Sequence, residues 1–261
     1  MRRTDLPQVV LGCGPAGLLA AHGITMAGGS PIILSRKVKS VIAGAQFLHR
    51  AIPEITSHEP DGMLDFRKAG DPGRYAARIY GDPSHPTSWE RYQTGAQPAW
   101  SMQDAYSVLW DRYEPMIMEA EVEPDMLDEL EREFGLAVST IPAKCLCSNM
   151  AHAFPSVPIH ILPWTPIPED NFVMYNGSGM GHWYRTSRIF GHSSTESTQP
   201  FDEPGAMKGF KILNTNCDCR PNIVRAGRFG EWRSGILTHH AFEKAMEAML
   251  EVEDHVVGGT A

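Results

Sequence analysis

The chain has 261 residues, 42% of them hydrophobic, with five cysteines and a formal net charge of −8. That suffices for one large α/β domain or two interleaved smaller ones. The negative balance argues against an extended nucleic-acid surface, and no apolar run approaches the roughly 20 residues that span a bilayer. The opening MRRTDLPQVV lacks the apolar stretch and cleavage site of a secretory signal, so a cytoplasmic protein with reduced thiols is expected, acting on a small molecule and away from membranes.

In chain order, 8–12 (QVVLG) reads as a short buried strand, 15–27 as an apolar helix and 31–35 (PIILS) as a second buried strand. This is the opening βαβ of a doubly wound parallel sheet. Residues 36–62 are irregular, 63–67 alternate weakly like a strand, and the Pro- and Gly-rich 81–100 read as loop. The periodicity predicts a helix over 101–120 with Ser101 as N-cap and a break or kink at Pro115. An acidic helix follows over 124–134, with Gly135 as its C-cap signal. LAVSTIPAKCLC is a strand running into a turn. Residues 157–162, 171–176, 183–190 and 208–213 read as strands of a separate, mostly antiparallel sheet, with 191–206 as an exposed polar hairpin or loop. The end of the chain holds a buried strand at 223–226, a glycine turn, a long helix starting near Gly235 and a frayed tail.

The chemistry starts at GCGPAG. Gly12, Gly14 and Gly17 match G-x-G-x-x-G between a strand and a helix. The first glycine permits a tight turn, the second lets a pyrophosphate approach the backbone, and the third lets helix and strand pack closely. Pro15 and Ala16 open the helix, whose N-terminal amides favour phosphate. The acid expected after the second strand, to hold ribose hydroxyls, is absent; Ser35, Arg36 and Lys37 stand there. Such a basic turn suits the 2′-phosphate of NADP, or a serine replaces the acid in an FAD site. At the other end, Gly227, Arg228, Gly230, Trp232, Gly235, Ile236 and Leu237 repeat the pattern of strand, glycine turn and helix start. Two such turns aimed at one place suit a long cofactor with phosphates at one end and a ring at the other, which is FAD.

The segments VVLGCGPAGLLAA (9–21), VSTIPAKCL (138–146) and VRAGRFGEW with GILTHHAFEKA (224–245) resemble the glutathione-reductase-type FAD superfamily. Within it they are most similar to the branch of amine oxidases, protoporphyrinogen oxidase and UDP-galactopyranose mutase. They also resemble short actinobacterial and phage proteins known only as FAD-dependent oxidoreductases. The resemblance implies a discontinuous FAD-binding domain over 1–62, 133–150 and 220–254. It implies an inserted, mostly antiparallel substrate subdomain over 63–132 and 151–219, and a flexible tail over 255–261. It also implies hydride transfer from a small substrate, with a C–N bond favoured by the nearest large relatives. The adenine-binding segment found in such enzymes is not visible between the second strand and the substrate subdomain. The chain is short for the group, which leaves room for a homo-oligomer completing the substrate site.

For the chemistry, Gln46 and His49 follow the second strand in a loop that the resemblance puts near the flavin ring. Trp183 and Arg185, on one face of an alternating strand with Ser187, suit an anionic substrate. Trp232 and His239 fit either the cleft or the core. Alternatives are a flavin-dependent lyase or isomerase on a modified nucleotide or sugar, an NADP-dependent reductase, and a non-catalytic nucleotide-binding protein. Cys145-x-Cys147, Cys217-x-Cys219 and His152 depart from the usual C-x-x-C zinc spacing. They are read as inert buried thiols without metal, with zinc and a redox pair as the alternatives.

Overall fold

A computed structural model describes residues 6–257, with side chains through Val252. The elements in chain order are β1 (Gln8–Leu11), α1 (Pro15–Met26), β2 (Pro31–Ser35), β3 (Phe47–Leu48), β4 (Gly62–Gly70), α2 (Pro72–Tyr80), α3 (Ser88–Arg91) and β5 (Gly95–Ser101). There follow α4 (Met102–Tyr113), β6 (Ile117–Glu119), α5 (Leu127–Glu133), β7 (Leu136–Ser139), β8 (Ser156–Pro163), β9 (Phe172–Gly177) and β10 (Trp183–Ile189). The last are β11 (His192–Ser197), β12 (Met207–Ile212), β13 (Ile223–Arg225), α6 (Gly227–Glu231) and α7 (His240–Val257). The chain forms two compact units. The first holds the described residues through Ser40, then Tyr106–Pro155 and those from Ile212 on; the second holds Val41–Ala105 and Ser156–Lys211.

The first unit is built on a five-stranded parallel sheet in the order β13-β7-β1-β2-β6. All four residues of β1 and of β7 are buried, the continuous apolar pattern of strands covered on both faces. On one face Val9, Leu11, Ala137 and Ile223 pack with Leu127 and Leu130 of α5. Helix α1 is buried from Gly17 through Ile24, and α7 lies along it. Their close approach depends on Gly23: a Cβ there would overlap the Phe242 carbonyl oxygen and come within 3.1 Å of Met246 N. Gly23→Ala is therefore expected to cost about 1–3 kcal/mol by overpacking, read as a lower denaturation midpoint at unchanged slope. An unchanged midpoint would mean that α7 shifts freely.

The second unit is one eight-stranded sheet in the order β12-β8-β11-β10-β9-β4-β5-β3. Its registered pairs are antiparallel except β4 with β9, which run parallel. Its core is aromatic: Phe66, Tyr75, Trp89, Tyr92, Tyr175 and Tyr184 are buried together. The fold class is thus the expected one, a Rossmann-like parallel sheet with a separate, mostly antiparallel sheet.

Several boundaries differ from the sequence reading. The helix expected over 101–120 ends at Tyr113, because Pro115 lacks the amide to continue it, and 117–119 become β6 beside β2. This strand completes the parallel sheet, so 106–132 belong to the first unit and 41–62 to the second, opposite to the expected division. The loop expected over 81–100 contains α3 and β5, and 68–80, given no element from sequence, contain α2. The local signals were there: Asp71 caps α2 by accepting from Arg74 N (2.9 Å), Pro72 opens it, and Gly81 ends it at φ +73°. Residues 192–197 are β11, which forms a hairpin with β10; the hairpin is not exposed but lies in the interior of the sheet, with Glu196 and Ser197 buried. Gly135 does not cap α5; Phe134 does, in extended conformation, and the Gly135 amide donates to Pro7 O instead (3.0 Å). The final helix starts at His240, five residues later than expected, and its backbone reaches Val257 inside the supposed tail; 258–261 lie outside the described residues.

Candidate functional site

Three segments meet at the C-terminal edge of the parallel sheet: the β1–α1 turn, the residues following β7, and the start of α6. Gly12 has φ +104°, and a Cβ on it would lie 2.8 Å from Thr140 Oγ1. A Cβ on Gly17 would overlap the Gly12 carbonyl, so this glycine sets how closely α1 returns over β1. Gly14 is different. Its φ is −68°, and a Cβ would meet only Ser40 Oγ, at an ordinary 3.5 Å. The protein itself leaves the space beside Gly14 open, as the pyrophosphate of a dinucleotide requires. Gly14 is also the N-cap of α1 and offers no side-chain cap, so the Ala16 and Gly17 amides behind Pro15 start the helix with no side chain over them.

The second glycine turn lies against the first. Gly227 has φ +75°, and a Cβ there would sit 2.8 Å from Ala16 Cβ; one on Gly230 would sit 2.6 Å from Ser139 O. Ala226 N donates to Ser139 O (2.8 Å), and Thr140 Oγ1 donates to Leu11 O (3.0 Å). Arg228 is exposed, and Gly235, Ile236 and Leu237 form an irregular, half-buried link into α7. Trp232 is buried at the end of α6 against Ala143, Ile212 and Phe154, and its Nε1 donates to Pro155 O (3.0 Å). It serves this small core and not an open cleft.

At the end of β2, the Ser35 hydroxyl donates to Cys13 Sγ (3.0 Å), which turns it onto the glycine turn. Arg36 lies 3.8 Å from Glu121 and Lys37 3.7 Å from Glu114, so acids locally offset both cations. That weakens the case for a 2′-phosphate. β2 and β6 are parallel, with Ser35 opposite Glu119, so Glu121 just beyond β6 reaches the same edge. An acid is therefore present in space where the sequence has none after the second strand. Tyr106 of α4 also escaped the motif reading: its hydroxyl donates to Cys13 O (3.1 Å) and accepts from Ser40 N (3.0 Å), fastening the glycine turn. It lies in the helix that the periodicity predicted, and nothing among its sequence neighbours pointed to the glycine turn.

His239 is buried in the first unit just before α7, in the core and not the cleft; the remaining candidates lie in the second unit. Gln46 is exposed and its amide donates to Ala43 O (2.6 Å); it lines a recess with Ser101, Gln103, Trp164 and Phe190. His49 Nε2 lies 2.7 Å from Tyr92 Oη, with its ring stacked on Tyr92 and close to Phe47. A bulge between Trp183 and Arg185 breaks the expected alternation, so Tyr184, Ser187 and Ile189 are the buried residues of β10. The structure gives Arg185 a carboxylate: Glu196 accepts from its Nε (2.7 Å) and Nη2 (2.8 Å), and the Tyr184 hydroxyl donates to the same group (2.7 Å). Glu196 is fully buried. Desolvation pushes its carboxyl up, but Arg185, then Lys211 at 3.7 Å, the Tyr184 hydroxyl and the Ala45 amide outweigh this and hold it down at about 2.

No protein-family model matches the chain, and no curated protein matches it in sequence. Solved structures do match it throughout. Reduced UDP-galactopyranose mutase superposes at TM-score 0.54 with 12% identity, covering 98% of this chain and 96% of that one. RebC-10x, native and bound to K252c, gives 0.60 at 9% identity over 97% and 61%. Aklavinone-11 hydroxylase in ternary complex with FAD and aklavinone gives 0.52 at 9% identity over 97% and 63%. The chain has the fold of FAD-dependent oxidoreductases and monooxygenases. Among the described residues no helix is long and apolar enough to cross a membrane.

Proposed function

We propose that the chain binds FAD and oxidises a small substrate at a carbon bonded to nitrogen. The observation that carries the cofactor reading is the convergence just described: two glycine turns and the Ser139–Thr140 backbone packed together at one sheet edge, with open space beside Gly14. In this reading the Ala16 and Gly17 amides hold the pyrophosphate. Glu121 accepts the ribose hydroxyls in place of the missing acid, and the segment after β6 flanks the adenine. Bound FAD supplies an acceptor for a hydride. The chain's own task is to hold the substrate and exclude water. His49, oriented by Tyr92, is the side chain suited to hydrogen-bond the substrate, with Trp183 and Gln46 as the other candidates from the sequence. Arg185, already paired with Glu196, enters as a positioning residue. The C–N preference is supported by the resemblance of segments 9–21, 138–146 and 224–245 to amine oxidases.

A second reading, a flavin-dependent lyase or isomerase on a modified nucleotide or sugar, is compatible with the nearly end-to-end match to UDP-galactopyranose mutase. The test common to both is the visible spectrum of the fresh protein and mass spectrometry of the heat-released ligand. A yellow protein releasing FAD is expected. A protein that stays colourless with added FAD and binds NADP would replace this reading with the reductase one.

A further inference from the structure

Four of the side chains left over from the cofactor site come together in the first unit. Cys147 and His152 lie in the irregular segment after β7, and Cys217 and Cys219 in the irregular segment before β13. Their ligand atoms all lie within 4.8 Å of one another. Cys147 Sγ is 3.6 Å from Cys219 Sγ and 3.3 Å from His152 Nδ1, and Cys219 Sγ is 3.5 Å from His152 Nδ1. Tetrahedral zinc, with bonds of about 2.3 Å to sulfur and about 2.0 Å to nitrogen, sets sulfurs about 3.8 Å apart and sulfur from nitrogen about 3.5 Å apart. The three edges among Cys147, Cys219 and His152 fit such a tetrahedron, and the Cys217 sulfur lies within the same 4.8 Å.

We infer that Cys147, His152 Nδ1, Cys217 and Cys219 form a closed structural zinc site, which no part of the flavin reading requires. Sequence spacing obscured it. It suggested Cys145 as the partner of Cys147, but Cys145 sits in the turn before the site and is not among the four. Three thiolates and one neutral imidazole around a divalent ion leave a net charge of −1, and the thiol protons are released on binding. The surroundings suit that charge: Arg225 Nη2 donates to Cys217 Sγ (3.4 Å). A Cys147–Cys219 disulfide would use two of the four donors and leave the convergence of Cys217 and His152 unexplained. Zinc uses all four and joins two irregular segments, beside hydrogen bonds such as Thr215 Oγ1 to Ala153 O (2.7 Å) and Leu213 N to Pro155 O (3.1 Å). Four protein donors leave no open position, which marks a structural site and not a catalytic one.

The test is elemental analysis of the full chain purified without chelator, together with cobalt titration of the metal-stripped protein. The expected result is about one equivalent of zinc, and the visible bands of tetrahedral thiolate-bound cobalt. Cys147→Ser and Cys217→Ser are expected to lower metal content about tenfold or more, with Cys145→Ser unchanged. If those serine variants do not fold, the cobalt spectrum of the wild-type chain decides. Less than about a tenth of an equivalent of zinc with no cobalt bands would overturn the site. So would a Cys147–Cys219 disulfide in protein kept reduced, or loss of metal in Cys145→Ser. None of these readouts involves flavin, so they succeed or fail apart from the proposed function.

Discussion

Gly14→Val is expected to weaken FAD binding by about 100-fold or more, equivalent to about 2.7 kcal/mol, while the chain still folds. The two halves of this expectation have separate causes. Gly14 has an ordinary φ of −68°, and its nearest neighbour on the Cβ side is Ser40 Oγ at 3.5 Å, so the protein tolerates a side chain. A pyrophosphate lying against the N-terminus of α1 does not, because the isopropyl group would occupy its path. Gly12 and Gly17 make poor test positions, since a Cβ at either collides with the protein itself and confounds binding with folding. Fluorescence titration with FAD, beside a thermal melt of the stripped protein, separates the two. Wild-type affinity in the variant would remove the pyrophosphate from this turn.

Glu196→Gln is expected to destabilise the second unit by about 3–5 kcal/mol, the usual result of deleting one partner of a buried ion pair. The substitution keeps the volume and strips the charge that offsets Arg185 at 2.6 Å and Lys211 at 3.7 Å. Denaturant unfolding followed by tryptophan fluorescence reads the change; a loss under about 1 kcal/mol would show that water reaches Arg185 and solvates it. The same carboxylate makes a pH prediction. Its folded value of about 2 lies below its usual 4.5, so the folded state holds the proton less tightly than the unfolded state does. The resulting stability, about 3 kcal/mol, is fully present above about pH 5 and is lost as pH falls through about 2. In Glu196→Gln this part of the acid dependence should disappear. An acid profile identical to wild type would assign the transition to other carboxylates.

These predictions draw unequally on sequence. The turn at Gly12–Gly17 was legible because each glycine answers a backbone requirement set within a few residues, namely a positive φ, a close approach or a tight return. β1, α1, β2 and β7 were legible for a similar reason. Their apolar runs are continuous, and burial on both faces leaves no other use for them. By contrast β11 reads HSSTES, which on its own looks like loop. It becomes an inner strand because its polar groups find partners across the sheet: Ser194 with Ser187 (3.2 Å), Thr195 with Thr186 (2.9 Å) and Glu196 with Arg185. The bulge after Trp183 likewise has no local signature, and it decides that Arg185 faces Glu196.

By itself, then, the sequence determined that two glycine turns exist, that each sits between strand and helix, and that the chain carries five cysteines without a standard metal spacing. Only the tertiary structure decided that the turns touch, that an acid reaches the end of β2 from β6, and that three of the five cysteines join His152. The physical reason is range. Dihedral preference and periodicity act over a few residues and leave marks that can be read locally. Cross-strand hydrogen bonding, as between Arg185 and Glu196, depends on how two strands pair, and metal geometry on distances between segments about 70 residues apart, such as Cys147 and Cys219; both exist only once the sheet has brought the segments together.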